Sequence, residues 1–228
     1  MRLAALCLAM TALPAPARAE DWRGGGALAL DLRYAEIQPD AGDATRVVTA
    51  GPRVRAAAGK SALALAAGLD LHLGASGDGD FAYELSVLPL GVALQLGRSA
   101  RIGAVAGIGT SGITGGALPN ALTLPVESFG EVSLGDHVRA AAWARATELA
   151  GAAVREGGAE DAPFGDEVEL GLTLRWDRRR ADHGFVSGNG YQLGAFVGQA
   201  AGADVFGLSL GYSLDIAYPG EPSNPTPL

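Results

Sequence analysis

The sequence predicts an all-β fold: a closed antiparallel transmembrane β-barrel of ten strands, with eight or twelve as the alternatives. Three observations predict it. Apolar residues alternate with small or charged ones at period two, over runs longer than the roughly 5–6 residues usual in soluble sheets. Aromatic residues (Tyr34, Trp176, Phe206, Tyr218) stand at the ends of the apolar faces, as in the interfacial girdles of membrane barrels. The opposite faces mix glycine with charge, which suits a narrow interior where bulky side chains do not fit and opposite charges pair.

Composition sets the outer limits. The chain has 228 residues, 48% of them hydrophobic and 18% charged, with 34 glycines, one cysteine and a formal charge of −8. That apolar content is too high for a disordered chain. A lone cysteine excludes a disulfide framework and a multi-cysteine metal site. The balance is acidic and Lys60 is the one lysine, which argues against a nucleic-acid partner.

Residues 1–19 read as a secretory signal: Arg2 gives the positive start, residues 3–13 the apolar stretch and Ala17-Arg18-Ala19 the small-x-small cleavage site. Cleavage after Ala19 removes Arg2 and Arg18 and no acid, so the formal charge goes from −8 to −10. A short lead at 20–25 then precedes the barrel at 26–218, and a proline-rich tail at 219–228 follows it. Beyond Ala19 no stretch approaches the ~18 uninterrupted apolar residues of a membrane helix.

Ten segments carry the strand pattern: 26–37, 45–57, 61–74, 80–97, 101–113, 121–134, 138–150, 165–177, 184–198 and 204–218. The first two place Asp31, Arg33, Arg53 and Arg55 on the polar face. In the third, Leu63, Leu65, Leu69, Leu71 and Leu73 face one way, while Asp70 and His72 face the other. That run is long enough for a tilted strand to cross a bilayer, which takes ~9–11 residues. The fourth changes phase: Phe81, Tyr83, Leu85 and Val87 give way to Leu88, Leu90, Val92, Leu94 and Leu96. One extra residue at Pro89 reconciles the halves, since a bulge tolerates proline. The fifth puts Arg101 and Gly103, Gly107 and Gly109 on its inner face, and the sixth puts Glu127 and Glu131 there. The seventh is rich in helix formers. As a helix, however, its face Val138, Ala142, Arg145, Leu149 is broken by charge, so a strand with Arg139 and Arg145 inward is the better fit. The eighth sets Val168, Leu170, Leu172, Leu174 and Trp176 against Glu167, Glu169, Arg175 and Asp177. The tenth sets Phe206, Leu208, Leu210, Tyr212, Leu214, Ile216 and Tyr218 against Gly207, Ser209, Gly211, Ser213 and Asp215.

An even strand number brings both termini to one side. The second, fourth and sixth connections are tight and the first, fifth and seventh long, the asymmetry of membrane barrels. The eighth, 178–183, is longer than that pattern asks. Acids (Asp40, Asp43, Asp78, Asp80, Glu156, Glu160, Asp161, Asp204) sort to the long-loop side, and Lys60, Arg98 and Arg178, Arg179 and Arg180 to the other.

The last segment carries Ser209-x-Gly211-x-x-Leu214-x-Ile216, then Tyr218. In these residues the chain resembles the small bacterial outer-membrane β-barrel proteins, whose final strand bears a polar-x-Gly-x-x-hydrophobic-x-hydrophobic assembly signal. The resemblance covers 26–218 as a pattern. It implies Sec-dependent export, insertion by the barrel-assembly machinery, outer-membrane lipid as the surrounding medium and residence in the outer membrane. Members of that class commonly end on an aromatic residue, whereas here 219–228 follow Tyr218.

The chemistry-bearing patterns are few. Gly107-x-Gly109-x-x-Gly112 matches a dinucleotide fingerprint by letter but has no helix after it to hold a pyrophosphate. Asp70, His72, Glu84 and Ser86 contain the residue types of a barrel-borne lipid hydrolase. A hairpin centred near Gly77 sets Asp70 opposite Glu84 and Gly68 opposite Ser86. His72 and Ser86 are then four residues apart, roughly 13 Å at ~3.3 Å per residue, when proton transfer needs about 3 Å. His137 and His183 fall in turns, and with no H-x-x-x-H spacing a transition-metal site is not indicated. No cofactor is implied. The richest set is the inward charge: Asp31, Arg33, Arg53, Arg55, Asp70, His72, Arg101, Glu127, Glu131, Arg139, Arg145, Glu167, Glu169, Arg175 and Asp215. A three-residue hairpin at 135–137 brings Glu127 opposite Arg145. Near-balance of sign suggests a paired network filling the lumen, whereas a selective pore would carry a one-signed ring. The function these features indicate is non-enzymatic: an envelope structural element, or a surface platform whose loop ligand the sequence does not name. A narrow solute channel is the first alternative and an outer-membrane lipid hydrolase the second.

Overall fold

The computed structural model describes residues 22–39, 42–60, 62–96, 100–114, 120–135, 137–150, 167–178, 186–200 and 202–217. Ten strands follow one another: β1 (Trp22–Gln38), β2 (Thr45–Lys60), β3 (Leu63–Ser76), β4 (Phe81–Leu96), β5 (Ala100–Ile113), β6 (Ala121–Ser133), β7 (Val138–Ala150), β8 (Glu167–Arg178), β9 (Val186–Ala200) and β10 (Ala203–Ala217). Each pairs antiparallel with its sequence neighbours, and β1 closes onto β10 from Gly25↔Ala217 to Gln38↔Asp204. Closure is what a sheet surrounded by hydrocarbon requires, because an open edge would leave backbone N–H and C=O groups without partners. β1 begins at Trp22, four residues before the alternation becomes legible, where the glycines at 24–26 carry no side-chain pattern.

The apolar faces point outward. Leu65, Leu172 and Leu210 are 66%, 67% and 56% exposed, so they share no protein core. Tyr34, Phe81 and Phe206 stand on this surface near the end bearing the β1–β2 and β9–β10 connections, the far end; Trp176 and Tyr191 stand near the end bearing β1's start, the terminal end. Tyr191 meets Tyr212 edge-on at 5.2 Å between ring centroids. Tyr218 lies outside the described residues. So do Asp40, Glu156, Glu160, Asp161, His183, Arg98, Arg179 and Arg180, while Asp43, Asp78, Asp80 and Asp204 sit at the far end.

The phase change in β4 is a bulge. Val87 pairs with Ile108 and Leu90 with Ala106, so Leu88 and Pro89 together face Gly107. A Cβ at Gly107 would fall 1.8 Å from the Val87 carbonyl oxygen, which is why the partner position is glycine. One assignment is corrected: Leu88 does not join the outward leucines. The bulge turns it into the lumen, fully buried among Ala66, Ala93, Val105 and Phe129. The segment rich in helix formers is strand β7, paired in unbroken register with β6 and β8. Its inward arginines recur at even spacing, and tertiary pairing outweighs intrinsic propensity.

If lipid covers the leucine rows, an arginine at the middle of a strand is costly and one at the rim is not. Leu172→Arg is expected to lose ~2–4 kcal/mol and Leu134→Arg ~0–1 kcal/mol, read by urea unfolding of the barrel in phospholipid vesicles.

Candidate functional site

Period-two geometry turns alternate residues of every strand into one lumen. Asp31 and Arg33 come from β1, Arg53 and Arg55 from β2, Asp70 and His72 from β3, Arg101 from β5 and Glu127 and Glu131 from β6. Arg139 and Arg145 come from β7, Glu167, Glu169 and Arg175 from β8, and Asp215 from β10. All lie on the inward face, from fully buried (Asp70, His72) to partly buried (Arg53, Arg101, Glu131, Glu167, Glu169). Glycines opposite the largest side chains make the room. The Trp143 indole lies over Gly171, the Phe196 ring over Gly207 and the Arg55 guanidinium over Gly68, each closer than a Cβ would permit.

The charges pair across the lumen in three tiers. Toward the far end, Arg33 donates to Glu84 on β4 and to Glu169 on β8, both at 3.2 Å, with its guanidinium 4.4 Å over the Phe196 ring. In the middle, Arg55 donates to Asp70 at 2.5 Å and to Glu127 at 3.1 Å. Arg145 meets Glu84 at 2.6 Å and Asp70 at 3.4 Å and donates to Ser86 at 2.8 Å. Arg53 bridges Asp31 at 3.7 Å and Asp70 at 3.5 Å, and Gln192 donates to Asp31. Toward the terminal end, Asp215 accepts from Arg139 at 2.7 Å and from Arg175 at 2.8 Å. Asp177 takes both arginines again, at 2.7 Å and 2.5 Å, and Glu131 lies 3.5 Å from Arg139. Arg101 donates to Gln95 at 3.1 Å and faces Glu131 in register. Each such ion loses several kcal/mol of hydration on burial, so the pairing is obligatory.

Three members lie outside the charge set read from the sequence: Glu84, Gln192, and Asp177, which the alternation places on the polar face of its strand. Glu84 is readable from its outward neighbours Tyr83 and Leu85, and Asp177 from Trp176; Gln192 carries no charge to draw attention. Glu127 stands opposite Arg145 in the β6–β7 register, yet its carboxylate pairs with Arg55 from across the barrel.

The β3–β4 hairpin corrects a second expectation. It is centred on Asp78, one residue beyond Gly77, with Gly79 taking the positive φ of +89°, so Asp70 faces Ser86 and His72 faces Glu84. His72 and Ser86 are thereby diagonal neighbours, roughly 7–8 Å apart, instead of four residues apart. They still form no nucleophile–base pair: the Ser86 hydroxyl oxygen accepts from Arg145, and the His72 Nδ1 lies 3.8 Å from Glu84. Gly107, Gly109 and Gly112 lie inside β5, away from any helix start. Of the last-strand residues, Ser209 and Gly211 face inward, Leu214 faces outward and Ile216 is in β10.

Removing Arg55 from the middle tier takes from the buried Glu127 its ion-pair partner and leaves Asp70 with the longer contacts to Arg53 and Arg145. Arg55→Met is expected to lose about 3–5 kcal/mol, while Arg46→Met, at an exposed pair with Glu36 near the rim, should change stability by ~0–1 kcal/mol. Urea-unfolding midpoints with unchanged slope provide the check.

No protein-family model matches the chain, and no curated protein matches it. Solved structures similar to it are bacterial outer-membrane barrels. The attachment invasion locus protein Ail of Yersinia pestis is 7% identical, with 85% of this chain and 99% of that one covered and a TM-score of 0.36. The translocator domain of the autotransporter NalP from Neisseria meningitidis is 10% identical, with 93% of each chain covered and a TM-score of 0.37. OmpT of Vibrio cholerae is 10% identical, with 90% and 99% covered and a TM-score of 0.33.

Proposed function

We propose that the protein is a non-enzymatic, non-conducting outer-membrane barrel: a structural element of the envelope whose far-end connections serve as a platform for a surface partner. The observation that carries this reading is the lumen. Guanidinium–carboxylate bridges from opposite walls cross it at three levels, and Arg55, Asp70, Arg175 and Asp215 are all but sealed from solvent. A conducting pore needs an aqueous path and a field of one sign, and both signs are tied together here. Outer-membrane placement is supported by the exposed leucine rows and the aromatic residues at either end, together with the signal at 1–19. The assembly residues of the last strand support delivery by the barrel-assembly machinery. In that orientation the far end faces outward and the terminal end faces the periplasm. A hydrolase reading has less support, because Ser86 sits next to a cation instead of a base, in a lumen too closed to admit a lipid.

Planar bilayers test the proposal. The wild-type barrel is expected to give no discrete current steps. Replacing Arg33, Arg55, Arg145, Arg139 and Arg175 together by alanine should open all three tiers and give cation-selective steps, because the carboxylates stay. Stable steps from the wild-type protein would refute the non-conducting reading.

A further inference from the structure

His72 is a titratable side chain turned into the lumen that no hydrogen bond holds. It is 1% exposed, and neither ring nitrogen has a hydrogen-bond partner among the described residues. Buried polar groups are almost always bonded, so a sealed and unbonded imidazole needs a reason. The charged groups facing it come from four strands: Arg33 on β1, Arg53 on β2, Asp70 on its own strand and Glu84 on β4. Histidine is the side chain whose ordinary titration falls between about pH 5 and about pH 8.

Glu84 joins the two halves of the far tier. Its Oε2 accepts from Arg33 at 3.2 Å, and its Oε1 is ion-paired with Arg145 at 2.6 Å. The His72 Nδ1 lies 3.8 Å from that same Oε2. A neutral imidazole at that distance does not compete with a guanidinium. An imidazolium is charged and carries N–H on both nitrogens, and a charge-assisted bond of about 2.8 Å asks the ring to close by about 1 Å. Asp70, the other acid near it, already takes Arg53, Arg55 and Arg145. Two cations on one oxygen repel, and Arg33 is the one with an alternative, because its second terminal nitrogen already donates to both oxygens of Glu169 at 3.2 Å. Arg145 is held in place by Ser86 at 2.8 Å and Asp70 at 3.4 Å. Protons have a route to this point: the side chains of Glu84 and Glu169 are 19% and 24% exposed and line the partly open far-end cavity.

We propose that His72 is an acid-operated latch on the far tier: once protonated, it takes the Glu84 Oε2 from Arg33, and Arg33 swings onto Glu169 alone. The β1–β4 bridge across the lumen then opens while the β1–β8 bridge stays. The tiers below keep their pairs, so the inference goes beyond the structural reading and does not depend on whether the lumen conducts.

The test is nuclear magnetic resonance of the full barrel in detergent micelles, with histidine and arginine isotope-labelled, titrated from about pH 8 to about pH 5. The Arg33 guanidinium signals are expected to shift with the same midpoint as the His72 ring, while those of Arg175 in the terminal tier stay in place. His72→Gln should remove the Arg33 shift, with folding checked by heat-modifiable gel mobility. Glu84→Gln, which leaves Arg33 with Glu169 and Arg145 with Asp70, should remove it as well, and keeps the test decisive if the first variant does not fold. A shift that merely felt the new charge through space would survive Glu84→Gln. The proposal is overturned if the His72 ring does not titrate in this range, if Arg33 stays unchanged while it does, or if the Arg33 shift persists in either variant.

Discussion

The structure depends on one constraint: a charge turned into this lumen must find its counter-charge on another strand. Asp70 is fully sealed from solvent and Arg55 nearly so, so neither can rely on water. Pairs made only between adjacent strands would leave the lumen hollow. Here the long arginine side chains cross it, Arg33 from β1 to β4 and β8, Arg55 from β2 to β6, Arg145 from β7 to β3 and β4. The backbone ladder fixes which strands are neighbours, and these bridges fix which walls face each other. Arginine suits the task because its planar fork engages two carboxylates at once and stays charged whatever its surroundings.

Steric filling obeys the same geometry. A barrel of this size leaves an interior that side chains can occupy, provided large groups face small ones. Trp143 over Gly171 and Phe196 over Gly207 are such matches, and the two rings touch each other at 6.2 Å between centroids. The bulge at Leu88 and Pro89 belongs to this account. By adding one residue to β4 it switches the strand from outward Val87 to inward Leu88 and back to outward Leu90, and so delivers a leucine to a part of the lumen that carries little charge. Proline is tolerated there because the ladder is already interrupted.

Strand number, antiparallel closure and the orientation of each face were legible because they rest on period-two alternation, which is a local property. The bulge was legible as a phase error in that alternation. The position of the β3–β4 turn was not, because Gly77 and Gly79 are both glycine and the letters do not say which one takes the left-handed conformation. Partner choice within the lumen was illegible for a deeper reason. Register places Glu127 beside Arg145, but the charge of Arg145 is taken by Glu84 and Asp70 from the opposite wall, and Glu127 is left to Arg55. Neighbours along the sheet follow from the chain, whereas neighbours across the lumen depend on barrel diameter and strand tilt. Glu84 was missed as a network member for that reason: its face was readable, and the arginines that reach it come from strands distant in sequence.

The two ends of the lumen differ in a way that neither filling nor pairing alone requires. At the terminal end, acids and arginines are matched, and a void of about 20 Å³ remains among Arg53, Glu131, Arg139 and Arg175, room for about one water molecule. At the far end an apolar collar of Ile37, Val47, Ile113 and Phe196 surrounds a partly open cavity of about 140 Å³ above Arg33, Glu84, Arg145 and Glu169. Had stability been the sole requirement, the collar residues Ala82 and Ala200 could have been larger and the cavity filled, because closing a void in an apolar cluster is stabilising. Small residues around an unfilled space forgo that stabilisation. The lumen therefore differs along its axis, with a closed, charge-paired stopper at the terminal end and a more open, apolar-walled mouth at the far end.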